Sequence, residues 1–264
     1  MKKIYALIFT LLLAFTVIVK APAYEEKQIE MTILYDNYRF GEDLKTDWGF
    51  SCLIQGTEKT ILFDTGTKSD IFFHNIGELD VNLKEIEIVA ISHNHGDHTG
   101  GLSSFLSANS RVSVYLPASF PEEFFKRLEQ KGAKAIRVDK PVELCKNVFS
   151  TGEMGVQIKE QALIFNTKKG LIVVTGCAHP GIVDIVKRAK EVVDKKVYLV
   201  FGGFHLLNKS ENEVNEIIKK FRELGVMKVG ATHCTGDRAI ELFKEAYGEN
   251  FVQMGVGKKL VSDY

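Results

Sequence analysis

The 264-residue chain carries 34 Lys plus Arg against 34 Asp plus Glu, a formal net charge of zero at neutral pH. With 45% hydrophobic residues it has ample material for a packed core, and without a basic stripe nucleic acid is not an expected partner. No linker, low-complexity tract or repeat interrupts residues 24–264, which read as a single domain.

The chain opens with Met1-Lys2-Lys3, then sixteen uncharged residues (4–19), then Lys20 and Ala21-Pro22-Ala23. That is the layout of a signal peptide, with cleavage after Ala23 and a mature chain starting at Tyr24. The alternative is an uncleaved anchor, but such a stretch as a helix spans about 24 Å, short of the roughly 30 Å hydrocarbon core. Either way the domain is expected outside the cytoplasm, exported to the periplasm or medium or anchored facing outward. The membrane enters only through this segment. The four cysteines (Cys52, Cys145, Cys177, Cys234) are too few for a disulfide framework. They read as small buried residues, although Cys177 and Cys234 could meet as a thiol pair, a disulfide or a soft metal ligand.

Beyond the leader, residues 31–35 read as a strand. A polar loop (36–47) holding Tyr38, Arg39 and Phe40 follows, either a flap over a site or an ordinary surface loop. Two paired strands come next, 50–55 and 60–64. His74 sits in a helix-like polar stretch (70–77) and reads as a surface residue. Residues 86–91, Ile-Glu-Ile-Val-Ala-Ile, form a β-branched apolar run, the mark of a buried strand.

The run that ends this strand is Ser92-His93-Asn94-His95-Gly96-Asp97-His98-Thr99, four potential metal ligands within six residues. Imidazole and carboxylate together suit zinc and neighbouring divalent metals. In extended chain His93 and His95 share a face, Gly96 permits a sharp turn, and Asp97 and His98 can face a second ion. Gly100-Gly101 and a helix over 102–108 follow. A strand over 111–116 and a helix from Pro121 to about Lys131 come next, then short strand-like pieces through Phe165. Residues 120–162 separate the cluster from the later histidines and are placed to form a partial lid.

Two ligands per ion are too few for a tight site. Three further histidines each lie just past a strand among small residues. His179 follows the strand 171–174, His205 follows 197–201, and His233 follows 227–230. Strand ends are where α/β folds place their chemistry. Helices over 182–193, 211–224 and 237–247 alternate with these strands.

Taken together, six runs resemble the metallo-β-lactamase superfamily, whose hallmark is His-x-His-x-Asp-His. They are Trp48-Gly-Phe-Ser51, Phe63-Asp-Thr-Gly66, Ser92 to Leu102, Gly176-Cys-Ala-His-Pro-Gly-Ile182, Gly202-Gly-Phe-His-Leu206 and His233-Cys-Thr-Gly236. More narrowly they resemble the branch related to 7,8-dihydropterin-6-methyl-4-(β-D-ribofuranosyl)aminobenzene-5'-phosphate synthase. The resemblance implies an α/β, four-layer αββα sandwich. It implies one metal on His93, His95 and His179, a second on Asp97, His98 and His233, and Asp64 orienting a ligand. The ions would be one or two Zn2+, with Mn or Fe as alternatives.

The family usually has a metal-bridging aspartate between the third and fourth ligand positions. Here Gly202-Gly203-Phe204-His205 stands there, and the nearby Asp184 and Asp194 look solvent-facing. The expectation is a hydrolase that turns metal-activated water on a small ester, thioester, lactone or phosphoester. Asp97 would orient the nucleophile, and His205 is the first candidate for the general acid. The alternatives are a pterin-related synthase or transferase of the same branch, or a metal-binding protein without activity.

Overall fold

The computed structural model describes residues 28–263; the leader expected at 1–23 lies outside the described residues. Two sheets face each other. The first holds seven strands in the order β13-β1-β2-β3-β4-β5-β6, with β1 (Gln28–Tyr35), β2 (Ser51–Gln55), β3 (Thr60–Phe63), β4 (Ile86–Ala90), β5 (Ser113–Pro117), β6 (Lys134–Val138) and β13 (Lys259–Asp263). The second holds six in the order β12-β11-β10-β9-β8-β7. These are β7 (Val142–Cys145), β8 (Val148–Ser150), β9 (Leu163–Thr167), β10 (Gly170–Thr175), β11 (Val197–Gly203) and β12 (Lys228–Thr232).

Alternation along the strands makes the layers. Ile61, Phe63, Ile88 and Ala90 of the first sheet meet Ile172, Val174, Leu199 and Phe201 of the second in a core between the sheets. The intervening Leu62 and Val89 point outward, under α1 (Ser69–Glu78), α3 (Leu102–Ala108) and α4 (Glu122–Gln130). Leu171, Val173 and Val200 point the other way, under α5 (Ile182–Val192), α6 (Glu211–Glu223) and α7 (Asp237–Tyr247). Strands buried on both faces need near-continuous apolar sequence, and these have it. The result is the four-layer αββα sandwich expected from the sequence. Among the described residues no helix is long and apolar enough to cross a membrane.

Strands β3 to β6 run parallel, as do β10 to β12. Their carboxyl ends collect at one rim of the sandwich, where the short helix α2 (Gly96–Thr99) also sits. Two sequence expectations need correction. The first strand begins at Gln28, three residues early, because the C-terminal β13 pairs with it, Gln28 opposite Asp263. Residues 120–150 supply α4, β6, β7 and β8, integral parts of the layers and no lid; only 151–162 runs beside the third ligand loop, where Glu160 takes its amides. Of the two readings left open for the 36–47 loop, flap or surface loop, the second fits, because the loop is tied down at many points. The Phe40 and Gly41 amides donate to the Val256 carbonyl, and the Tyr38 hydroxyl donates to Asp237 at 2.6 Å. His74 lies against the Asp43 carbonyl, away from the rim.

Candidate metal centre

Every residue singled out from the sequence as a ligand arrives at this rim. His93, His95, Asp97 and His98 come from the turn after β4. His179 follows β10, and His233 follows β12 in a 3-10 turn. Seven described non-glycine residues adopt positive φ, and four of them are Asp64, Ala178, His205 and His233. Backbone held in that region costs energy and tends to collect where side chains must be aimed, which separates this rim from the other turns.

The side chains form two facing sets. Donor atoms of His93, His95 and His179 lie within 4.8 Å of one another, and so do those of Asp97, His98, His233 and Cys177. His93 Nε2 is 3.0 Å from His95 Nδ1. In the second set Asp97 Oδ2 is 3.5 Å from His98 Nε2 and 3.4 Å from His233 Nε2. The His93 and His98 rings, 4.2 Å apart between centres, join the sets.

Each buried imidazole is held by the nitrogen that faces away. His98 Nδ1 donates to Asp64 Oδ2 at 2.7 Å. His93 Nδ1 donates to Ser92 Oγ at 2.9 Å, which in turn donates to Asp64 Oδ2 at 2.7 Å. His233 Nδ1 donates to Asn37 Oδ1 at 2.9 Å, an oxygen that also accepts the Gly49 amide. With Nδ1 so engaged, each Nε2 is turned toward the cluster, the arrangement metal-binding histidines use. His179 Nε2 is buried without a hydrogen-bond partner. An unsatisfied lone pair at that depth is costly, and a cation among three imidazoles would satisfy it. The donors therefore fit divalent metal.

Electrostatics divide the imidazoles. Burial, then the neighbouring imidazoles, pushes His93 far below the usual imidazole value, and burial with His205 brings His179 down to about 4. Both are neutral and able to coordinate at pH 7. Burial alone would lower His98, but the Asp64 carboxylate outweighs it and raises the ring to about 10, so without metal this ring keeps a proton that a bound cation would displace. Asp97 is held well below the carboxylate range: burial opposes this, but hydrogen bonds from His233 and His98 prevail.

His205 stands at the exposed edge, its ring centre 4.2 Å from that of His179. Contact with the Cys234 thiol, more than any other influence, raises it. Asp184 and Asp194 are exposed, as expected. All four cysteines are free and buried.

Sequence reasoning missed several participants. Glu160 is fully buried; its Oε1 accepts the Cys177 and Ala178 amides at 2.9 Å and its Oε2 the His179 amide at 2.8 Å. Burial lifts its carboxyl to about 7. Trp48 donates from Nε1 to Asp97 Oδ2 at 2.9 Å, and its ring centre is 5.1 Å from that of His233. Trp48 lies in a run already quoted for the resemblance, so its place was signalled. Glu160 sits in an unremarkable polar stretch, and nothing near it signalled a role.

Asp36 is also buried, and Thr232, next to His233, donates its hydroxyl to both carboxylate oxygens. Burial holds this carboxyl at about 6 against an ordinary 3.8. Between those values the folded chain keeps a proton that the unfolded chain has released. The stability this provides is present below the ordinary value and is lost as pH rises through about 6, on the order of 3 kcal/mol. In metal-stripped protein, Asp36→Asn is expected to flatten that decline, read as urea midpoints at about pH 4 and about pH 7. Parallel pH profiles for variant and wild type would count against it.

Comparison with known proteins settles the family. The Metallo-beta-lactamase superfamily matches residues 49–179. A curated relative from Methanocaldococcus jannaschii, 7,8-dihydropterin-6-methyl-4-(beta-D-ribofuranosyl)-aminobenzene-5'-phosphate synthase, is 30% identical, covering 86% of this chain and 94% of its own. The chain belongs to the metallo-beta-lactamase superfamily. A solved structure described as a metal-dependent hydrolase of the beta-lactamase superfamily is 30% identical, covers 89% of this chain and all of its own, and superposes with a TM-score of 0.74. The metallo-beta-lactamase fold protein YhfI from Bacillus subtilis shares the fold at a TM-score of 0.66 with 16% identity, covering 88% and 99%. Within this superfamily, the centre described above lies at the end of the sandwich formed by the parallel strands of both sheets.

Proposed function

We propose that this chain is a metal-dependent hydrolase of a small ester, thioester, lactone or phosphoester. One observation carries the reading: two donor sets face each other at one rim, with the outward nitrogen of three imidazoles anchored and the His179 lone pair left unmet. A divalent metal bound there, zinc by donor chemistry, would act as a Lewis acid and bring the pKa of water from about 15.7 toward 7.

The chain's own residues do the rest. Asp64 and Asn37 fix the imidazole orientations, which sets where the donors point. Asp97, ionised and pinned by Trp48, is placed to bind metal and to orient the attacking water. His205 lies at the exposed edge beside His179, where a leaving group would depart, and is placed to hand it a proton. Replacing His205 with alanine is expected to lower kcat by about a hundredfold while metal content stays at the wild-type level. Elemental analysis beside steady-state kinetics reads this. Loss of a whole metal equivalent would make His205 a ligand instead.

A second reading is favoured by the 30% identity to the synthase from Methanocaldococcus jannaschii. There the same centre would serve a condensation on a pterin-type substrate. The leader at 1–23 belongs to the first reading, because export would separate the enzyme from cytoplasmic pterin precursors. N-terminal sequencing of the secreted protein, expected to begin at Tyr24, tests that part.

The deciding experiment is elemental analysis of the purified protein, followed by phosphoester, thioester and lactone substrates. It is run beside an assay for the product named for the methanogen relative. Metal with hydrolysis supports the proposal, and metal with only the condensation supports the second reading. A protein that never takes up metal would leave a binding role without catalysis.

A further inference from the structure

Two of the four positions that stand where the bridging acid would be, both at the end of β11, cannot carry one. Gly202 adopts φ +116, and a Cβ added there would lie 2.1 Å from the Thr175 carbonyl oxygen. A Cβ at Gly203 would lie 2.3 Å from the Gly176 carbonyl oxygen, 2.8 Å from Cys234 Sγ and 3.1 Å from the His233 ring. No carboxylate can be housed at either position without moving backbone. Sulfur and imidazole already fill the space.

One of the two thiols points into the centre. Cys177 Sγ is 3.3 Å from His98 Nε2 and 3.4 Å from His233 Nε2. Those are the same two nitrogens that lie 3.5 and 3.4 Å from Asp97 Oδ2. Four donors from four different positions thus bound one small volume. In a tetrahedral zinc site, bonds of about 2.0–2.3 Å set neighbouring ligand atoms about 3.3–3.7 Å apart. The four distances fall in that interval. The Cys177 backbone is fixed independently, because its amide donates to the buried Glu160 carboxylate. The place of the thiol in the loop is therefore set by contacts other than its own.

We propose that Cys177 is the fourth ligand of the second metal, completing an Asp97-His98-Cys177-His233 set; this rests on the metal reading above. On binding, the thiol releases its proton to solvent and sulfur donates the freed pair to the ion. Four protein donors close that site, whereas His93, His95 and His179 leave a fourth position open at the other. The two ions are then unequal: one anchors the loops, and the other presents the open position. Cys234, whose Sγ contacts the Cys177 carbonyl at 3.6 Å, stays outside the set as a neighbour.

Cobalt titration of the metal-stripped full chain tests this, because thiolate bound to Co2+ gives an intense near-ultraviolet charge-transfer band that imidazole and carboxylate do not. Wild type is expected to bind two equivalents, the band growing with one of them. Cys177→Ser should lose the band, bind one equivalent as before and bind the other at least about 100-fold more weakly. Cys234→Ser should keep the band. Should Cys177→Ser fold poorly, Cys177→Asp serves instead and should restore two equivalents without the band. Two equivalents bound by wild type with no band, a band surviving either Cys177 substitution, or a band lost with Cys234→Ser would each overturn the assignment while leaving the metal reading intact. A wild-type chain that takes up no cobalt would overturn both.

Discussion

His95→Ala is expected to strip the ion from the three-imidazole set and to cut kcat/KM by at least about a hundredfold, near 2.7 kcal/mol of transition-state stabilisation. His95, like His179, is only half-buried, which suits it to substitution better than the fully buried His93. Removing His95 takes one contact from His93 Nε2 but leaves intact the hydrogen bonds that hold the far side of the fully buried His93, His98 and His233. Elemental analysis should show one equivalent gone while thermal unfolding of the metal-free protein stays close to wild type. Full metal content in a folded His95→Ala variant would sink the assignment of that set.

Glu160→Ala should have the larger effect on stability. The carboxylate satisfies three successive amides, Cys177, Ala178 and His179, in a turn where Ala178 has φ 63. Such a row of amides makes a concave anion seat. Removing the acceptor strands two buried donors and one part-buried donor at about 1–3 kcal/mol each, so a loss of about 3–9 kcal/mol is expected. The loop also carries His179 and Cys177, so metal affinity should fall with it. Glu160→Gln keeps one oxygen for the Cys177 and Ala178 amides but sets an amide group against the His179 amide. It should cost roughly a third as much. Urea denaturation of the metal-free protein reads both variants, and an alanine variant within about 1 kcal/mol of wild type would refute the role.

The strand ends were readable because each histidine followed an apolar, β-branched run and stood among small residues. The helix limits came within a residue or so for α5, α6 and α7, where amphipathic periodicity runs uninterrupted. Errors fell where pairing partners are far apart in the chain. The C-terminal strand and the early start of β1 depend on Gln28 meeting Asp263, a contact no local pattern announces. The lid expected from 120–162 failed for a related reason: short strands of ordinary composition can join either sheet, and only packing assigns them.

The residue types of the centre, their spacing in the His93 to His98 run and the family they point to are written in the chain itself. Those depend on local chemistry: imidazole and carboxylate donors, and a glycine that lets the turn close. Which loops meet is different. That Cys177 faces His98 and His233, that Glu160 holds the amides of the third ligand loop, and that Asn37 and Trp48 brace the second set follow from two sheets packing through a shared core. Packing brings the carboxyl ends of β3, β4, β10 and β12 to one rim, and contacts made across such distances in sequence are settled only when the layers close.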